Sequence, residues 1–351
     1  MPTRIPTPGP WWADANPGWL PPDRMCYSNR MYVRFGQSGV LALQAARALW
    51  RQPLPVLTAT LGALMAALFP LLVAFPFGES DRLVRDGALA LYFSLGVYLA
   101  AAAASGSLDR DREAGWAALV LSKAVSRSRF YLARYGGVLL VLALFSLCLG
   151  LAALLSGRVG SAHDHGQYGA GLGIGLSILA AHAAAGLANY RFGRPYASMA
   201  FGLLALALLA AATGPAIGLS GGAARAALAA SAGRLAPALL LIGLALAVLA
   251  AVVMALSVRL PPAPVAAAGG LVFLLGLVRA PLIDRAAAAG NRAAAAAAAL
   301  LPDWHLFWAA DALSGGGRIP WDYVGGVGLY AVFYTAGMLL IGLALYRGRD
   351  L

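Results

Sequence analysis

Lysine is nearly missing from this chain. Of 26 basic side chains in 351 residues, Lys123 is the one lysine and the rest are arginine. A Walker-type phosphate-binding loop needs a glycine-rich turn followed by Lys and then Ser or Thr. Lys123 has Ser122 before it, Ala124 after it and no such turn around it, so the chain has no loop with which to hydrolyse ATP by itself. Charge of either sign is also scarce. Charged residues make up 11% of the chain, against roughly a quarter in ordinary soluble domains, which argues against a soluble globular protein. There are two cysteines. Cys26 lies in a polar leader and Cys148 inside an apolar run, so a disulfide framework is not expected. Four histidines and 14 acidic residues leave little material for an acid–base or metal centre. His163, Asp164 and His165 are chemically suitable metal ligands, but two histidines at that spacing with no further ligand read as a solvated loop. His182, the one histidine inside an apolar run, reads as hydrogen-bonded packing rather than a proton relay.

Apolar sequence is what the chain has in abundance, at 61% of residues. Lipid offers no partner to an unpaired backbone amide, so a spanning segment is a helix of ~20 mostly apolar residues. Eight segments qualify, at roughly 54–76, 87–106, 136–156, 171–190, 196–213, 236–258, 263–279 and 323–346. The fold class is therefore an all-α polytopic integral membrane bundle of about eight spans, within a range of six to eight because the fifth and seventh are short. No Asp, Glu, Lys or Arg lies between the ends of any of these spans.

Arginine placement orients the bundle. With both termini cytoplasmic, the inner segments hold 17 of the 26 basic residues and 6 of the 14 acidic ones, leaving +11 inside and +1 outside. That asymmetry follows the positive-inside rule. A basic face beside anionic membrane lipid accounts for the net charge of +12, and nucleic acid is not needed as a partner.

Residues 1–38 form a Pro- and Gly-rich leader, expected to be disordered in the cytoplasm; the first apolar run, near residue 54, is long enough to span, so no cleavable signal peptide is expected. Residues 39–51 are two-faced. Gln44, Arg47 and Arg51 share one stripe, opposite Leu41, Ala45, Ala48 and Leu49, which predicts an interfacial helix ending at Pro53. Residues 107–135 interrupt two long apolar runs and are too polar for lipid. Ser107 is expected to cap a helix with Asp109 and Asp111 in its first turn, running through Trp116 and Leu121. A break follows around 123–126, and Ser126 caps a second helix carrying Arg127, Arg129 and Arg134. The first helix would offer Trp116, Leu119 and Val120 to a partner's groove.

This segment carries a family resemblance. Asp111-Arg112-Glu113, Gly115, Leu121-Ser122 and Val125-Ser126-Arg127, with Arg134 seven residues on, resemble the cytoplasmic loop of ABC-2 type transporter permeases. That loop reads approximately E-R-E-x-G-T-L, then L-L-S-x-P-V-S-R. Ser257-Val258-Arg259-Leu260, the segment from Leu301 to Phe307, Asp311-Ala312-Leu313 and the basic ending at Arg347 and Arg349 add weaker matches. Trp116 stands where the family prefers Thr, and Ala124 where it prefers Pro.

The resemblance implies a subunit that hydrolyses nothing itself and needs no cofactor of its own. ATP and Mg would be bound by a separate cytosolic ATPase, present in two copies, while the permease pairs as a homodimer or as a heterodimer with a similar permease. The domain would cover 39–351, in the cytoplasmic membrane of a prokaryote. The loop after the second span would form a coupling helix over 107–127. Its ATPase contacts would be Asp111, Arg112, Glu113, Gly115, Trp116, Ser122, Val125, Ser126 and Arg127. A re-entrant region before the last span would gate the exit. Asp284, Arg285 and Arg292 flank the run Ala293–Ala299, which by its residues reads either as half of a re-entrant hairpin or as an outer amphipathic helix. Residues 157–235 exceed the usual six-span plan and are expected to insert an extra hairpin. Two other classes compete: an ion-coupled secondary transporter, and a membrane enzyme or assembly anchor. Cargo does not follow from fold, although uncharged spans favour an amphiphile over a bare ion.

Overall fold

In the computed structural model, residues 26–72, 80–113, 126–160, 169–217 and 221–347 are described, and among them there are helices and turns but no strand. Every apolar run becomes a helix. In order these are α1 (Cys26–Trp50), α2 (Pro53–Leu72), α3 (Ser80–Glu113), α4 (Arg127–Gly160), α5 (Gly169–Phe192) and α6 (Tyr196–Ile217). There follow α7 (Gly221–Leu256), α8 (Pro262–Leu277), α9 (Arg279–Ala288), α10 (Arg292–Ala299) and α11 (Trp321–Arg347). Two 3-10 turns, Trp304–Phe307 and Ala310–Gly316, lie between α10 and α11. Seven helices are long and apolar enough to cross a membrane, and counting the bent pair α8–α9 as one span makes eight.

Proline positions set several boundaries, because proline lacks an N–H and suits the first turn of a helix. Pro53 opens α2 one residue after the α1 corner, where Gln52 N donates to Leu49 O at 3.0 Å. Pro261 and Pro262 start α8 from an extended N-cap. The core lies where α3, α4 and α7 pack on one another. Side chains such as Leu89, Tyr92, Leu99, Val138, Phe145 and Leu246 are all but inaccessible there. Spans α5 and α11 are peripheral, with 22% and 17% of their apolar windows buried against 67% for α7.

Between helices in lipid, association rests on close packing and hydrogen bonds rather than on the hydrophobic effect. Small residues let the backbones approach. A side chain at Gly137 would run into Ala45 Cβ, with Ala46 N at 2.9 Å and Ala42 O at 3.0 Å, so α1 and α4 meet backbone to backbone. Polar side chains satisfy themselves on neighbouring carbonyls. Ser156 Oγ donates to Ala66 O at 2.7 Å, and the Tyr135 hydroxyl donates to Ala247 O at 3.0 Å.

Two expectations change. The helix expected over 39–51 runs back to Cys26, while residues 1–25 of the leader lie outside the described residues. Ser107 does not begin a helix. α3 continues through it to Glu113, and the buried Ser107 hydroxyl donates to Met254 Sδ at 3.1 Å on α7. A side chain with a buried partner on another helix has no reason to turn back and cap its own backbone.

The extra hairpin expected within 157–235 is α5–α6, and it packs against α2, α4 and α7. His182 on α5 joins it to α2. Its Nε2 lies 2.9 Å from Thr60 Oγ1 and its Nδ1 lies 2.6 Å from the Tyr196 hydroxyl. Both ring nitrogens are engaged by hydroxyls, which matches the packing role read from the sequence.

Candidate functional site

Spans that alternate in direction collect one set of ends on one face. Arg47 and Arg51 close α1, Arg127, Arg129 and Arg134 open α4, Arg191 and Arg194 flank the α5–α6 turn, Arg259 follows α7, and Arg347 ends α11. The opposite face mixes signs, and its ion pairs include Arg82–Asp86 at 3.6 Å and Arg85–Asp86 at 3.1 Å.

The expected coupling segment springs from the basic face. Asp111, Arg112 and Glu113 form the last turn of α3. Gly115, Trp116, Ser122 and Val125 lie outside the described residues, as do His163, Asp164 and His165. On the far side of the segment, Ser126 is exposed and its Oγ accepts from Arg129 N at 3.4 Å. This is the N-cap read from the sequence. Arg127 follows it as the first residue of α4.

The sequence did not reveal what the root of α4 is fastened to. Arg127 Nη1 donates to Arg347 O at 3.3 Å, and Arg347 Nη2 donates back to Ser128 Oγ at 3.0 Å. One turn deeper, the rings of Tyr131 and Tyr346 lie 5.8 Å apart. Tyr131 also packs on Gly342, beside Ala255 of α7. Arg134 lies 5.1 Å over the Phe130 ring on the same helix. The base of α4 is thereby clamped to α11 and α7, the last span and the most buried one. The one available signal was composition: a tyrosine and an arginine at the very end of α11, with a glycine one turn before them.

A second polar node lies elsewhere. Arg279 Nη1 donates to Asp303 Oδ2 at 2.9 Å, both side chains being about a quarter exposed. Asp303 Oδ1 accepts from His305 N at 3.2 Å, and His305 Nε2 lies 2.9 Å from Leu277 O. Two tyrosines one turn apart on α11 complete it. The Tyr330 hydroxyl accepts from Asp303 N at 3.0 Å, and that of Tyr334 donates to Leu300 O at 2.8 Å. Tyr334 is at the midpoint of α11, so this segment reaches about halfway down that helix. Asp303, Trp304 and His305 therefore run beside the N-terminal half of α11. The node sits where α9 turns 69° from α8. From there α9 and α10 leave as a helical hairpin packed mainly on itself, with Ala298 its one buried residue.

No group of three or more His, Cys, Asp or Glu side chains suited to a metal occurs among the described residues. No family model, curated protein or solved structure matches this chain.

Proposed function

We propose that this chain is the membrane-spanning permease subunit of an ATP-driven exporter of the ABC-2 type, lying in a prokaryotic cytoplasmic membrane with both termini inside. Two copies of a cytosolic ATPase would supply the energy, and a second permease, identical or similar, would complete the pathway. The observation that carries this reading is the clamped root of α4. The segment bearing the family motif is continuous at one end with α3 and at the other with a helix held at its base by Arg347, Tyr346 and Gly342 of α11 and by Ala255 of α7. A push on residues 107–127 by the closing ATPase would therefore move α4 together with α11 and α7. The α9–α10 hairpin, rooted near the middle of α11, would serve as the re-entrant element at the exit.

The node at Arg279 bears on ion-coupled carriage, since an ionisable pair at membrane depth is a functional candidate by default. Its carboxylate accepts from Arg279 and from the His305 amide, so the pair braces the start of α9 against the 303–305 segment.

The test is the double variant Glu113→Arg with Arg127→Glu, reconstituted with the partner ATPase. We expect normal insertion and continued ATP hydrolysis with export lost. Normal export by that variant refutes the coupling role of this segment. Export without any ATPase refutes the class.

A further inference from the structure

We propose that the base of α6, between the α5–α6 turn and the α1–α2 corner, binds the headgroup of an anionic phospholipid. The turn is built to hold its arginines still. Asn189 Nδ2 donates to Arg194 O at 2.6 Å, Gly193 N donates to Asn189 O at 3.0 Å, and Gly193 adopts φ +60°, which a side chain would resist. Tyr196, the first residue of α6, is held by His182, which is itself held by Thr60 of α2. The neighbouring corner comes close because Trp50 meets Phe201 of α6 edge to face, with ring centroids 6.2 Å apart. Four exposed arginines thus sit on two neighbouring corners, Arg47 and Arg51 at the end of α1 and Arg191 and Arg194 in the α5–α6 turn, and among the described residues no carboxylate is ion-paired with any of them.

The surroundings select the ligand. The turn joins two membrane-crossing helices, so it lies at the headgroup level of one leaflet. Tyr190 and Phe192 flank Arg191 there at 89% and 72% exposure, as expected of side chains seated in the interface. Above them Leu187 and Leu179 on α5 are exposed toward acyl chains. Arginine forks match phosphate oxygens in pairs, and a basic cluster beside an anionic leaflet is drawn to it by about fivefold per arginine. A cytosolic protein would meet the arginines but would leave the aromatic and leucine surfaces unexplained.

The proposal rests on these helices crossing the membrane and not on the ATPase, so failure to find an ATPase leaves it standing. The experiment uses the full chain in nanodiscs of phosphatidylcholine with or without phosphatidylglycerol, and counts retained lipids by native mass spectrometry. Retained phosphatidylglycerol should fall about fivefold for each arginine removed in Arg191→Gln/Arg194→Gln, and likewise in Arg47→Gln/Arg51→Gln. The variant Arg285→Gln/Arg292→Gln removes the same charge from the opposite face and should retain the wild-type amount. An equal fall in that control overturns the site, as does undiminished retention in either test pair. Displacement of the lipid by inorganic phosphate at matched ionic strength assigns the arginines to a free anion and overturns the lipid assignment.

Discussion

Two glycines on α11 should respond in opposite ways to the same substitution. At Gly342 an added methyl would run into the Tyr131 hydroxyl, with Tyr131 Cζ at 2.9 Å and the Ala255 Cα at 3.1 Å. Tyr131 is fully buried and the Ala255 atom is backbone, so neither can swing aside, and α11 must shift away from α4 and α7. Gly337, about a turn and a half earlier on the same helix, has nothing within 4 Å of that position. Replacing a mid-helix glycine by alanine stabilises a helix by roughly 0.5–1 kcal/mol at either site, and comparing the two cancels that gain. What remains is the overpacking cost at Gly342, about 1–3 kcal/mol. Equilibrium unfolding in detergent should therefore find Gly337→Ala neutral or more stable than wild type, and Gly342→Ala less stable than Gly337→Ala by that margin. Because the wedge opens next to the Arg127–Arg347 contact, the proposed coupling makes export per ATP hydrolysed fall in Gly342→Ala alone. Equal stability and equal coupling in the two variants would refute both the close approach of α11 and its place in transmission.

Two further tests concern the polar nodes. Arg279→Met strips Asp303 of its partner and should destabilise by about 1–3 kcal/mol, less than a fully buried pair because both groups retain some exposure; adding Asp303→Asn should recover part of that loss, and strictly additive effects would show that the pair is not coupled. His182→Leu removes two interhelical hydrogen bonds, which in membrane bundles average about 0.6 kcal/mol each, so unfolding should shift by roughly 1 kcal/mol with export retained; loss of export at unchanged stability would instead identify His182 as a proton carrier.

Legibility in the sequence followed how local each feature is. Eight apolar runs predicted eight helices, and each is present, because a helix in lipid satisfies its backbone within its own segment and needs no knowledge of its neighbours. The Ser126 cap was legible for the same reason: the hydroxyl and the amide it meets are three residues apart. Ser107 shows the limit. Its type and the acids after it spelled a helix start, but a partner 147 residues away on α7 kept it inside a continuous α3.

The one-sided distribution of arginine, the want of a nucleotide loop and the membrane-crossing character of the chain are determined by composition and order alone, since each depends on residues counted along the chain. Tertiary structure decided what the root of α4 grips, that Arg279 and Asp303 meet beside the N-terminal half of α11, and that two arginine-bearing corners come to neighbour one another at the start of α6. Those pairings join residues from 24 to 220 positions apart. They exist because glycines and small side chains let particular helix backbones come within touching distance, and periodicity along one helix does not encode which other helix will lie there.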